Sequence, residues 1–159
     1  MDASDCSFPS NPRIAVIGSG AVGCYYGGRL AQYGEDVHFL MRRDLEHVRT
    51  HGLQVHSVHG DFSLPEVQAH SSTESIGPCD LVIITLKVTD NEALLELIPP
   101  LLKPDAMLLT LQNGLGIETW LAEHFGAEQV LGGLCFVCIN RTAPGVIEHY
   151  SQGGSSWGI

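Results

Sequence analysis

At 159 residues the chain is long enough for one domain with a sizeable core. Hydrophobic residues make up 44% of it and charged ones 16%, which suits a globular protein whose central strands are covered on both faces. Eighteen Asp and Glu against eight Lys and Arg give a formal charge of −10; nucleic-acid binding needs a basic footprint and is disfavoured, and any anionic ligand needs a local positive site.

The opening "MDASDCSFPSNP" is acidic and polar, unlike a secretory signal, and residues 1–12 read as a loose disordered arm. No stretch is long and apolar enough to span a bilayer, so no membrane role is expected. Five cysteines without framework spacing read as reduced thiols in a cytoplasmic protein. "RIAVI" (Arg13–Ile17) is a short apolar strand running into "GSGAVG". A helix follows, with Val22, Tyr25, Tyr26, Arg29, Leu30 and Tyr33 at helical spacing and Gly34 as its stop. "DVHFLM" (Asp36–Met41) is the second strand of a βαβ unit.

A short helix is expected over Leu45–His51, stopped by Gly52, and "LQVHSV" and "DFSL" flank His59-Gly60 as a β-hairpin. "DLVIITL" (Asp80–Leu86) is too uniformly apolar for a half-exposed strand and reads as central and parallel. Thr89-Asp90-Asn91-Glu92 has capping-box spacing and predicts the start of a helix that Pro99-Pro100 limits. "AMLLTLQNG" is a further buried strand ending at Leu111, and Ile117, Trp120, Leu121, His124 and Phe125 mark a helix over the sheet. "VLGGLCFVCI" and "GVIEHY" complete the strands. The alternation predicts an α/β, Rossmann-like fold: an open, mostly parallel sheet, helices on both faces and a β-hairpin insertion, over residues 13–159.

In such sheets ligands bind at the carboxyl ends of the strands. Gly18-Ser19-Gly20-Ala21-Val22-Gly23 fits G-x-G-x-x-G between a strand and a helix, the context that gives this common string meaning. Gly18 permits the tight turn, Gly20 lets a pyrophosphate approach the backbone, and Gly23 lets helix and strand pack closely; the helix N-terminus offers free N–H groups. About twenty residues on, where a carboxylate would bind the ribose of NAD, stands "FLMRRD". A guanidinium fork there pairs with the 2′-phosphate of NADP, so Arg42, assisted by Arg43, points to NADP(H); the plain alternative is a solvated surface pair. Lys87, by position at the end of a cleft strand, serves equally as a surface cation or a cofactor contact. Gln112 and Asn113 end the next strand; Asn113 offers a donor and an acceptor to a carboxamide or hydroxyl, and Gly114 fits an Asn-Gly turn.

Other patterns carry less. Cys135 and Cys138 match C-x-x-C, but their spacing on a strand sends them to opposite faces. His47 and His51 lack the Glu of a zinc-protease motif and read as solvated, so no metal site is expected; no nucleophile elbow is present.

Together "IAVIGSGAVGCYYGGRLA", "FLMRRD", "CDLVIITLKVTDN", "LLTLQNGLG" and "GVIEHY" resemble the N-terminal half of the ketopantoate reductase (2-dehydropantoate 2-reductase) family. The resemblance implies NADPH as hydride donor and a 2-keto acid, 2-dehydropantoate, as substrate, reduced to pantoate on the way to pantothenate and coenzyme A. It implies that Gly18–Gly23 hold the pyrophosphate and Arg42 the 2′-phosphate, and that Lys87 and Asn113 lie near the cofactor, Asn113 also facing substrate. Ile139 aligns with a small residue, usually alanine, opposite the nicotinamide. Family members continue into a helical domain carrying a lysine general acid and a substrate-anchoring glutamate; this chain ends before either, so no catalytic residue is expected in it. Surface meant for that domain would be exposed or buried in a homodimer. A cofactor-binding module without turnover, or the cofactor half of another 2-keto or hydroxy acid dehydrogenase, remains open.

Overall fold

The computed structural model describes residues 8–158, with side chains through residue 152. Its strands are β1 (Arg13–Ile17), β2 (Asp36–Leu40), β3 (Leu53–Ser57), β4 (Phe62–Leu64), β5 (Gln68–His70), β6 (Cys79–Ile84), β7 (Leu102–Thr110), β8 (Val130–Ala143) and β9 (Val146–Gly158). They form one sheet in the order β4-β3-β9-β8-β7-β6-β1-β2-β5. The run β8-β7-β6-β1-β2-β5 is parallel throughout. Numbered by appearance those six strands lie 3-2-1-4-5-6, the doubly wound order, and the switch point falls between β1 and β6.

Helices cover both faces. On one side α1 (Ala21–Gln32) and α2 (Leu45–His51) bury Cys24, Tyr25 and Val48 against Val16, Phe39 and Ile83. On the other, α3 (Thr73–Ile76), α4 (Leu94–Leu97) and α5 (Ile117–Phe125) bury Ile76, Leu94, Ile117 and Leu121 against Ala15, Ile17, Val82 and Leu108. Alternate residues of β1 and β6 thus serve opposite cores, which explains why both strands read as unbroken apolar runs.

The second half of the sheet does something the periodicity did not announce. β8 pairs with β7 only over Val130–Gly132 and then continues with β9 alone as a long antiparallel ribbon, interrupted by three bulges. β9 pairs parallel with β3, so the expected β3–β4 hairpin sits at the far edge of the sheet. Bulges increase twist and bend, and the ribbon wraps around α1: His149 of β9 packs on the Tyr25 ring at 4.6 Å. The turn between β8 and β9 therefore arrives beside α2, where Gln54 N–H donates to the Gly145 carbonyl at 2.8 Å.

Several expected boundaries shift. Residues 85 and 86 lie beyond β6, and β7 begins at Leu102, before the expected Ala106. The Thr89–Glu92 capping box does not form: a 3₁₀ segment covers Val88–Ala93 with Lys87 as its cap residue and no side-chain cap bond. Its Asn91 side chain is instead engaged by Gln112 across the loop. β5 and α3 went unread. The expected arm lies mostly on residues 1–7, outside the described residues; 8–12 carry no helix or strand.

At the sheet edge His38 is buried, with Nδ1 3.0 Å from His70 Nε2 and Nε2 3.0 Å from Asp36 Oδ1. Burial and the nearby cations and imidazole lower both histidine pKa values from the ordinary range. A lowered folded pKa makes the unfolded chain the better proton acceptor, so this stability is complete above about pH 6.5 and is lost as pH falls through the folded values. Melting temperature should fall between pH 7.5 and pH 5.5, and by less in a His70→Gln variant; equal slopes for the two proteins would remove the pair as the cause.

Candidate functional site

β1 ends at Ile17 and the chain turns sharply through Gly18, at φ +100, into α1. Thr85, just past β6, braces this turn: its hydroxyl faces the carbonyl oxygens of Gly18 and Ile17. The three glycines have distinct surroundings. A Cβ on Gly18 would come 2.6 Å from Leu86 N, and one on Gly23 would meet the Gly18 carbonyl and lie 2.6 Å from Thr85 Oγ1. A Cβ on Gly20 would meet nothing within 4 Å. Gly18 and Gly23 are thus packed shut from behind, whereas Gly20 borders open space. Gly20 is also the cap residue of α1, which has no side-chain cap and no acid in its first turn. The N–H groups of that turn are left to whatever enters the space in front.

That space is a cavity of about 410 Å³ at the carboxyl ends of β1, β2 and β6. Gly18, Ser19, Gly20, Arg42, Arg43, Asp44, Thr85, Lys87, Asp90 and Arg141 line it among others. The charges there are informative in a chain of net −10. Of the eight Lys and Arg, four are used elsewhere. The Arg13 guanidinium donates to the Ile76 carbonyl and to Asp36, Lys103 pairs with Asp80 at the amino ends of the strands, Arg29 lies 4.4 Å over the Phe62 ring, and Arg49 donates to the Ala69 carbonyl. The other four, Arg42, Arg43, Lys87 and Arg141, all line this cavity.

Arg42 and Arg43 are exposed, and neither forms an ion pair among the described residues. Asp44 is buried and engaged by Arg141, whose hydrogen bonds, aided by the Gly145 N–H, hold its carboxyl below the usual carboxylate range against the opposing effect of burial. Behind the turn, Cys24 donates to the Ser19 carbonyl at 3.4 Å, and burial pushes its thiol up to about 12, leaving it a protonated packing group.

The remaining expected site residues fall around the cavity rather than in it. Ala21 and Val22 form the first turn of α1 and, with their side chains, pack against the core. Gln112 is buried with its side chain occupied: it donates to the Leu86 carbonyl at 2.8 Å and to Asn91 Oδ1 at 2.7 Å, and accepts from Thr110 at 3.2 Å. It holds the Lys87 loop from behind. Asn113 is exposed past the end of β7, before Gly114 at φ +154, and does not border the cavity. Ile139 turns inward onto the core around α1. Cys135 is half-buried and Cys138 exposed, on opposite faces of β8. Thr85 and Arg141 were missed: Thr85 looked like strand interior, and no local spacing ties Arg141 to residue 44.

The family model described as ketopantoate reductase PanE/ApbA matches residues 14–159. The chain belongs to that family. Among its relatives, the 2-dehydropantoate 2-reductase of Nostoc sp. is 45% identical over 141 residues, an alignment covering 89% of this chain and 44% of that protein. The uncharacterized oxidoreductase YkpB of Bacillus subtilis is 36% identical, over 87% of this chain and 46% of its own length. The crystal structure of 2-dehydropantoate 2-reductase from Geobacter metallireducens superposes with a TM-score of 0.90 at 50% identity, over 92% of this chain and 48% of that one. D-mandelate dehydrogenase, solved as a ternary structure with NADH and anilino(oxo)acetate, superposes at 0.78 with 26% identity, over 91% of this chain and 47% of that one. The chain spans about half the length of these ketopantoate reductase relatives. No helix among the described residues is long and apolar enough to cross a membrane.

Proposed function

We propose that this chain is the NADP(H)-binding half of an oxidoreductase that reduces 2-dehydropantoate to pantoate. The observation that carries the reading is the gathering of four of eight basic side chains around the open face of the glycine turn. The backbone N–H groups at Gly18–Gly23 suit a pyrophosphate, and the exposed Arg42 and Arg43 suit the 2′-phosphate, since a guanidinium fork pairs with phosphate in charge-assisted bonds. Lys87 adds a point charge on the opposite rim.

A reduced nicotinamide held there would supply the hydride for reduction of a ketone carbon. The ketone oxygen that gains charge in such a reduction needs a proton or a fixed cation beside it. Among the described residues Lys87 is the only lysine lining the cavity, and arginine does not give up its proton. The family resemblance assigns the proton donor and the substrate anchor to a second, helical domain, with Asn113 reaching the substrate from this half.

These 159 residues should therefore bind NADPH yet reduce 2-dehydropantoate poorly. Absence of a general acid alone slows such a step by about 10²–10⁴, and absence of substrate positioning compounds it. Following NADPH absorbance at high protein concentration, with the Geobacter metallireducens relative as reference, tests both parts. Failure to bind NADPH would overturn the reading. Turnover at the reference rate would place the proton donor within this chain, and Lys87 would be the residue to replace first.

A further inference from the structure

Arg42 and Arg43 are followed at once by Asp44, an awkward neighbour for a phosphate site. A free carboxylate beside two guanidinium groups either pairs with them or repels an incoming anion. In the fold Asp44 does neither. It is the cap residue of α2, yet its side chain makes no cap bond. Both carboxylate oxygens turn instead to Arg141: Nε donates to Oδ2 at 2.5 Å, and a terminal guanidinium nitrogen donates to Oδ1. Gly145 N–H adds a bond to Oδ2 at 3.3 Å. This two-pronged arrangement is the one in which arginine binds a carboxylate most firmly. The side chains of Asp44 and Arg141 are 9% and 28% exposed, so water screens the pair little.

The partner is distant in sequence, 97 residues on, and is delivered by the bent β8–β9 ribbon. The ribbon's turn is pinned a second time by the Gln54 N–H bond to the Gly145 carbonyl, so Arg141 is held beside the arginine loop by the sheet itself. Arg141 also borders the same cavity as Arg42 and Arg43.

We propose that Arg141 is a specificity-determining positioning residue: by occupying Asp44 it leaves Arg42 and Arg43 unpaired and the cavity cationic, so the site selects a dinucleotide with an additional phosphate. The inference rests on the reading of the cavity as an NADP(H) site. It differs from a scaffolding role in one respect. A scaffold supports either nucleotide, whereas masking a carboxylate matters only when a phosphate must sit beside the arginines.

Titration of NADPH and NADH into four proteins separates the two. These are the parent chain, Arg141→Ala, Asp44→Asn and the double variant. Arg141→Ala exposes the carboxylate and should cut the preference for NADPH by about tenfold, the scale of one charge-assisted contact. Asp44→Asn removes the carboxylate and should keep the preference. In the double variant nothing remains to be masked, and the preference should return to within about threefold of the parent. Equal weakening of both nucleotides by Arg141→Ala, or no recovery in the double variant, overturns the proposal. Should Arg141→Ala fail to fold, a loss of NADPH preference in Asp44→Asn overturns it as well. A parent chain with no preference for NADPH removes the functional reading and this inference together; a preferring parent with equal losses removes the inference alone.

Discussion

Arg42→Ala is expected to weaken NADPH binding roughly ten- to a hundredfold, on the scale of 1.5–3 kcal/mol for a hydrogen bond to a charged group, while leaving NADH nearly unaffected. Arg42 is the first residue past the buried Met41, with its backbone fixed by the end of β2 and its side chain exposed at the cavity rim. It has no ion-pair partner among the described residues, so its removal strands no carboxylate inside the protein. The fold should therefore be undisturbed, and the change in affinity should report the contact to ligand alone. Arg43 lines the same cavity and can compensate in part, which puts Arg42→Ala at the lower end of the range and the double replacement at the upper. Loss of the same factor for both nucleotides would mean that Arg42 acts on something common to them, and the 2′-phosphate role would be wrong.

The second large effect separates two glycines three residues apart. Gly23→Ala forces a methyl group toward the Gly18 carbonyl and to 2.6 Å from Thr85 Oγ1, where the turn is already braced. Backbone cannot yield as a flexible side chain can, and overpacking of this kind costs about 1–3 kcal/mol or more. For a chain of this size that corresponds to a fall in melting temperature of roughly 2–4 °C per kcal/mol. Gly20→Ala should behave in the opposite way. Its φ is an ordinary −80 and its Cβ would meet nothing, so the melting temperature should hold. The methyl would instead enter the open space proposed to take the pyrophosphate, and both NADPH and NADH should bind more weakly. Thermal melts and titrations of the two variants form a crossed pair. A Gly20→Ala chain that binds both nucleotides normally would mean that the cavity does not bring a phosphate against this backbone.

Much of the site could be read from local pattern because its parts are local. The strand–turn–helix of Arg13–Gln32 rests on apolar runs, glycine positions and helical spacing, all within one short segment, and the arginines follow at a fixed distance along it. The helix at Leu45–His51 likewise carries its own glycine stop, and that at Ile117–Phe125 its own apolar spacing. What could not be read depends on the path of the chain after Gly132. Only the departure of β8 from the sheet brings Arg141 to Asp44, and bulges, which leave no reliable mark in composition, steer that departure. Gln112 lies just past the strand end, as its position implies, and its amide turns back to Leu86 and Asn91, since a buried amide must satisfy its hydrogen bonds within reach. The expected capping box does not form either: Val88–Ala93 is a 3₁₀ segment that begins at Lys87, with no side-chain cap bond. β5 has three residues, too few for any periodicity to show.

Calorimetric titration of NADPH and NADH into the unmodified chain, at one ionic strength, addresses the cationic cavity most directly. Binding of NADPH at least about tenfold tighter than NADH is expected, the difference that one charge-assisted phosphate contact supplies. Equal affinity for the two nucleotides, or binding of neither, would contradict it.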